Sequence, residues 1–343
     1  MSLDATRRVL AGRGWEPTLR ALYPAYEPVR FGGRTFPVTV RPVPPGTDLD
    51  AVLGDLDPTP PPGFDASFDP RGAAEYRAYA AAPPRQGLHD GPTYAAVRVR
   101  DTADGPRVDA RPGSYFASLA TAEALEREFV EALAADPDRP VPPADLPRRA
   151  WLHERLADPV RDGRFRAGAL SVATTVLLPR PGGHAALLVR RSWRVRTHPG
   201  FLHVAPAGIL APPDRSHWRE GFSVRQTVYR EFAEELFGLD LETTPEAGLL
   251  DSAPVRALLD GGAAELHLCG VSVPLLHLRP EICVLLRVHD PALLRGTRNW
   301  EVGRVLELPL DEEFRPLEDV TPDLIPAAAG ALRLARSQVT ALS

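Results

Sequence analysis

Thirty-eight of the 343 residues are proline, and they are unevenly placed. Proline lacks a backbone N–H and its ring clashes with the preceding turn, so it breaks helices and is barred from the middle of a sheet. The stretches "RPVPPG", "DPTPPPGFDASFDP" and "AAPPRQG" therefore cut the first third of the chain into short pieces. A further run, "DPDRPVPPADLPRR" at 136–149, reads as an extended, proline-stiffened linker. The chain is expected to divide into residues 1–150 and 151–343, and its length suits two domains.

Composition removes several function classes. The apolar share of 44% and charged share of 25% are those of an ordinary globular protein, and a net charge of −5 offers no basic footprint for nucleic acid. The start, "MSLDATRRVLAG", lacks an apolar h-region and no apolar run reaches membrane-spanning length, so a cytoplasmic protein without membrane contact is expected. Cys269 and Cys283 alone cannot build a Cys-rich zinc site, and buried structural thiols are the expectation for both. All 40 basic residues are Arg. A guanidinium stays charged and cannot act as an amine nucleophile, which excludes Schiff-base chemistry from the chain and a P-loop lysine.

Before the linker, "GRTFPVTVRPV" and "PTYAAVRVRD" read as strands, and "TAEALEREFVEALAA" places Leu125, Phe129 and Leu133 on one helix face. This half reads as a small α+β domain, with Glu126, Glu128 and Glu131 on a solvated face. After the linker, "SVATTVLLP" and "HAALLVRRS" flank "RPGG" as a β-hairpin, and "FLHVAPAG" is a further short strand. "GFSVRQTVYREFAEELFGLD" reads as a helix with Ser223 as N-cap, Val224, Val228, Phe232 and Leu236 as buried stripe, and Gly238 as terminator. Three more strands ("AELHLCGVSVPLL", "EICVLLRVH", "VGRVLELPL") and a closing helix over 321–342 predict an α/β fold with a mixed sheet between helices.

On that helix Glu231, Glu234 and Glu235 share a side, because offsets of three and four lie on one face. Like charges so spaced repel by about a few tenths of a kcal/mol per pair. The face is either simply solvated or built for a hard cation such as Mg²⁺, which binds carboxylate oxygens together with substrate phosphates. Arg230, one turn before Glu234, can hold that carboxylate in position.

The surroundings of this helix resemble the Nudix family over roughly residues 165–335. The family signature runs Gly, five residues, Glu, seven residues, then Arg-Glu-apolar-any-Glu-Glu-any-Gly-apolar. Arg230 and Glu231 match its Arg-Glu pair, Phe232 its apolar position, Glu234 and Glu235 its final carboxylates, and Gly208 the glycine that opens its loop. The resemblance implies a Nudix-like α/β/α sandwich. It also implies Mg²⁺ (or Mn²⁺) on Glu231, Glu234 and Glu235, bridging a substrate diphosphate that water attacks at phosphorus. The box is divergent. Phe222 stands at its first glutamate, the loop "ILAPPDRSHWREG" is longer than the family's, and Leu236 and Phe237 separate Glu235 from Gly238 where the family has one residue.

Further candidates surround the box. Glu281, at the start of a strand, is a general base, an added metal ligand or an ordinary strand-end residue. Arg191 and Arg196, in a basic segment before the loop, suit bidentate contacts to phosphate, or form a solvated edge. His198, His203 and His217 flank the loop. The expected function is Mg²⁺-dependent hydrolysis of a diphosphate bond in a small nucleoside-diphosphate-linked compound, by a monomer or homodimer. A non-catalytic nucleotide sensor, or diphosphate isomerisation, are the alternatives.

Overall fold

The computed structural model describes residues 3–57, 67–82, 89–193, 195, 197–239, 252, 255, 256, 262–290, 294 and 302–342. Helices α1 (Leu3–Ala11) and α2 (Trp15–Leu22) lead into strands β1 (Val29–Phe31), β2 (Arg34–Phe36), β3 (Val38–Pro42) and β4 (Leu53–Leu56). Helix α3 (Pro70–Ala81), strands β5 (Pro92–Thr102) and β6 (Gly105–Ser114), and helices α4 (Tyr115–Ala134) and α5 (Pro147–His153) complete the first half. Strands β7 (Gly168–Ala169), β8 (Ser171–Arg180), β9 (Gly183–Arg191), β10 (Leu202–Val204) and β11 (Ala207–Ile209) follow, then helix α6 (Val224–Phe237). Strands β12 (Ala264–Pro274), β13 (Glu281–Val288) and β14 (Val302–Leu310) precede the last helix, α7 (Pro326–Leu342). Among the described residues no helix is long and apolar enough to cross a membrane.

The larger sheet runs β10-β9-β8-β13-β12-β3, with β11 also on β8 and β14 also on β9. Its mixed character comes from β13, parallel to β8 and antiparallel to β12. Side-chain alternation along β8 and β13 sets the layers. Val172, Val176, Ile282, Val284 and Leu286 pack in one core with Val224, Val228 and Phe232 of α6. Ala173, Leu177, Cys283 and Leu285 face the other way, into a core with Ala328, Leu332 and Ala335 of α7. A mixed sheet with a helix on each face is the Nudix-like α/β/α sandwich expected from the box. Cys269 and Cys283 are free and buried, as their reading required.

The smaller sheet runs β4-β6-β5-β7. Strand β6 went unread because Pro106 and Pro112 interrupt it. Its partner β4 covers only Val108 to Ala110, so neither proline is asked to donate to that neighbour. Helix α4 starts at Tyr115, earlier than Thr121, because the Ser114 hydroxyl caps it by accepting from Ala117 N at 3.3 Å.

Contacts cross the 136–149 stretch repeatedly. Strand β3 pairs with β12 from Val38 to Pro42, and β7 pairs with β5. One apolar cluster contains Leu19, Tyr94 and Phe129 together with Val172, Phe232 and Leu276. At its centre Arg149 is fully buried. Its guanidinium donates to Leu125 O of α4 at 3.3 Å, to Leu275 O at 3.2 Å and to Leu276 O, and lies over the rings of Tyr23 and Phe129. Arg166, also buried, donates to Leu278 O at 3.1 Å and to Asp162 O at 2.7 Å. The turn between β12 and β13 is thus held by two arginines from outside its own hairpin.

Two measurements follow from this packing. Arg149→Met leaves three buried carbonyls without that donor, and each such acceptor costs about 1–3 kcal/mol; denaturant unfolding is expected to show a loss on the order of 3 kcal/mol or more, and a loss below about 1 kcal/mol would mean the carbonyls find other partners. A fragment beginning near Arg161 lacks β3, Arg149 and α4, and is expected to show no cooperative thermal transition. Cooperative melting of that fragment would show instead that the two halves fold separately.

Candidate active site

Helix α6 forms as its sequence reads. Ser223 Oγ accepts from Gln226 N at 3.2 Å, Val224, Val228 and Phe232 are fully buried, and Gly238 ends the helix at φ +64°. A second cap comes from the first half. Asp50 accepts from Val224 N at 2.6 Å, Arg225 N at 3.3 Å and the Ser223 hydroxyl at 3.0 Å, placing a carboxylate at the positive end of the helix. The divergent loop is anchored there too. Tyr94 of β5 donates its hydroxyl proton to Trp218 O at 2.6 Å and packs its ring 5.0 Å from that of Phe222. Phe222, at the position of the family's first glutamate, is therefore a packing residue against the first half.

The helix carboxylates reach β11 by different routes. Gly208 is essential to the fit: a Cβ there would lie 1.9 Å from Cδ of Glu231. Arg230 donates to Ile209 O at 2.6 Å and to Glu231 Oε1 at 3.0 Å, so it holds Glu231 rather than acting only on Glu234. Glu235 is buried and accepts from Ala207 N at 3.1 Å. Glu231 and Glu234 line a cavity of about 410 Å³, together with Gly208, Arg191 and Glu281. Arg196 lies outside the described residues. His217 is exposed on the loop, paired with Asp214 at 2.7 Å, and does not line the cavity among the described residues.

The opposite wall was not legible in the sequence. Helix α4 contributes Tyr115, Ser118, Glu123 and Glu126, and β5 contributes Thr93. The solvated face expected for α4 is thus corrected. Glu126 is 1% exposed, Glu128 accepts from Arg148 N at 2.6 Å at the start of α5, and only Glu131 is in solvent. The cause is tertiary: β7 packs on α4, and the loop before β10 brings His198 onto Glu126.

Buried charges are grouped here. His198, held at φ +49°, brings Nε2 to 2.7 Å from Glu126 Oε1. Arg279 lies 3.5 Å from Glu123 and 3.4 Å from Glu281. Burial opposes the charge on Glu126, but His198, His277 and Arg279 outweigh it and draw its pKa down to about 2. Burial also opposes charge on His198, and Glu126 outweighs it, raising the imidazole above its ordinary 6.5. His203 has no carboxylate to offset burial; burial and then Arg191 push it well below 6.5, so it is neutral.

Native interiors leave few polar groups unpaired. Here Thr93 Oγ1, Glu126 Oε2, Ser171 Oγ, His203 Nδ1 and Glu281 Oε2 are all buried without a hydrogen-bonding partner among the described residues, and all five belong to residues lining this cavity. Ser171 and Glu281 are register partners at the start of parallel strands β8 and β13.

Carboxylate oxygens from Glu231 and Glu234 are hard donors of the kind Mg²⁺ takes. Among the described residues no three His, Cys, Asp or Glu side chains already converge as a metal site. That is compatible with Mg²⁺, which commonly uses one or two protein carboxylates and completes its shell with water and phosphate.

The His198–Glu126 pair has a defined pH window. Stability from His198 is fully present below 6.5 and lost as pH rises through its raised folded pKa. Stability from Glu126 is present above 4.5 and lost as pH falls toward about 2. The difference in melting temperature between wild type and His198→Asn is expected to be largest between pH 4.5 and 6.5 and to shrink as pH rises further. A difference that stays constant across pH 5–9 would show that the pair carries no charge-dependent stability.

No protein-family model matches the chain, and no curated protein matches it. Among solved structures it is similar to a Nudix hydrolase from M. smegmatis, RenU, at 17% identity over 53% of this chain and 92% of that one, with a TM-score of 0.30. It is similar to the NUDIX domain of Shewanella oneidensis NrtR complexed with ADP ribose, at 18% identity, 55% and 97% coverage and a TM-score of 0.30. A C. elegans Ap4A hydrolase in a binary complex aligns at 16% identity, 51% and 98% coverage and a TM-score of 0.26. Each similarity spans about half of this chain.

Proposed function

We propose that the chain is a Nudix-type hydrolase that cleaves a diphosphate bond in a small nucleoside-diphosphate-linked compound. The observation that carries this reading is the cavity itself, about 410 Å³, which the α6 carboxylates Glu231 and Glu234 line together with Glu281, Arg191 and Arg279. Mg²⁺, bound by Glu231 and Glu234 with Glu235 behind them, would supply charge neutralisation at the phosphates and a more acidic water. The chain's own residues do the rest. Arg230 and Gly208 fix the Glu231 carboxylate against β11. Arg191 and Arg279 bring guanidinium charge to the cavity for the anionic substrate. Glu281, which lines the cavity at the start of β13, is the residue we assign to accept a proton from the attacking water.

Asp50 and Tyr94 support the end of α6 and its loop from the first half, so Phe222 removes a supporting carboxylate without unmooring the helix. A second reading, a nucleotide sensor without catalysis, is favoured by that same residue. The test is Mg²⁺-dependent release of a nucleoside monophosphate from a panel of nucleotide sugars, dinucleotides and nucleoside triphosphates. Glu234→Gln is expected to lower the rate by at least about a hundredfold, the scale of losing several kcal/mol of charge stabilisation, with an unchanged melting temperature. Equal inactivity of wild type and variant, with tight binding of one compound by wild type, would establish the sensor instead.

A further inference from the structure

We propose that Asp323 is a positioning residue for this cavity, which through Arg190 fixes the rim formed by the loop between β9 and β10. Its effect on a ligand rests on the reading of the cavity as a nucleotide-diphosphate site; its effect on the loop does not.

Asp323 closes the short helical turn Thr321–Asp323 just before α7. Each of its carboxylate oxygens takes a different arginine. Oδ1 lies 2.8 Å from Arg7 of α1, and Oδ2 lies 2.9 Å from Arg190 near the end of β9. The Arg190 guanidinium also donates to Gly200 O at 2.7 Å, so one cation joins both ends of the loop to that carboxylate. The segments on either side of this junction reach the cavity. Arg191, Thr197 and His198 line it from the loop, and Ile325 and Ala327 line it from the residues that follow Asp323.

Backbone bonds secure the root of the loop. Arg191 N donates to Phe201 O at 2.8 Å, Gly200 N to Arg191 O at 3.0 Å and Ile325 N to Leu202 O at 3.1 Å. Nearer the rim, side chains brace it: Arg191 donates to Thr197 O at 3.0 Å, Arg190 holds Gly200 O, and His198 meets Glu126 of α4 at 2.7 Å. His198 sits at φ +49°, a left-handed backbone that a residue with a Cβ adopts at a cost, so the rim keeps its place while these contacts outweigh that cost. Arg190 can serve Gly200 only where its own charge is balanced. Without Asp323 a partly buried guanidinium gains hydration by turning outward, and Gly200 O then loses its donor.

The reporter of the rim is the His198 imidazole, whose pKa is raised above 6.5 because Glu126 outweighs its burial. The charged and titratable groups that bear on it are Glu126 and Glu123 of α4, Arg191 of β9 and His203 of β10. Its titration is followed by NMR on full-length protein carrying isotope-labelled histidine, assigned with His198→Asn, and KM and kcat for ADP-glucose with Mg²⁺ are measured beside it. Partly exposed ion pairs are individually weak, so the effects are modest. Asp323→Asn and Arg190→Gln are each expected to lower the His198 pKa by about 0.3–0.7 pH units and to raise KM about two- to fivefold, with kcat within about twofold. The double variant is expected to go no further than either single one, because both break the same contact. Arg7→Gln is expected to lower the melting temperature and leave both readouts unchanged.

Arg190→Gln is the decisive variant. If these charges acted on His198 only through space, removing a cation would raise the imidazole pKa rather than lower it. An unshifted or raised pKa in Arg190→Gln therefore overturns the proposal, and that variant decides alone if Asp323→Asn does not fold. An equal fall in Arg7→Gln also overturns it and makes the junction a staple for α1. So does cleavage of ADP-glucose with KM unchanged in variants whose His198 has shifted, which leaves the hydrolase reading standing. If wild type neither binds nor cleaves ADP-glucose, the titration settles the placement of the loop by itself, and that failure counts against the nucleotide-diphosphate reading instead.

Discussion

The buried guanidinium of Arg149 is the contact on which the arrangement of this molecule depends. It saturates carbonyls of α4 and of the β12–β13 turn, and aromatic faces cover its charge. A lysine could not replace it, because a compact ammonium lacks the planar fork that reaches several carbonyls at once. Arg166 repeats the device at Leu278, and burial lowers its pKa only to about 10, so it stays charged at neutral pH. Between them these side chains fix the turn that delivers His277, Arg279 and Glu281 to the cavity. A chain with arginine as its only cationic residue other than histidine has put that chemistry to structural use.

Because the turn is pinned to α4, the two halves meet at one cavity. The first half supplies a wall, a cap for α6 through Asp50, and an anchor for the long loop through Tyr94. The start of α6 and the loop before it are thus supported from a separate part of the chain, and Phe222 packs on Tyr94 of that part.

The electrostatics of the site follow from the same meeting. Alone, Glu126 on α4 would be an ordinary exposed acid. Covered by the loop carrying His198 and the turn carrying Arg279, it becomes a buried ion with its pKa drawn down to about 2. His203 lies nearby but has no carboxylate partner, and the same burial keeps it neutral. One cavity therefore holds an imidazole whose pKa is raised and one whose pKa is lowered, separated only by what each touches.

How much of this was readable in advance depends on range. Helix α6, its Ser223 cap, its apolar stripe and its Gly238 stop are local patterns, and they form as the residues dictate. The strands after the linker share that legibility, since alternation and turn residues act within a few positions. Spacing put Glu231 and Glu234 on one helix face, while only the family resemblance brought in Gly208; all three line the one cavity. Glu126 lies beside the Leu125–Phe129–Leu133 stripe of α4 and Glu131 opposite it, but nothing local shows that a distant loop brings His198 onto Glu126 and buries it. Strand β6 was hidden by its two prolines, which are tolerated only because β4 is too short to reach them. The sequence by itself determined the elements and the acidic helix, through forces that act over a turn or a strand. Only the tertiary structure decided which charges are buried together, because that depends on what packs against them from elsewhere in the chain.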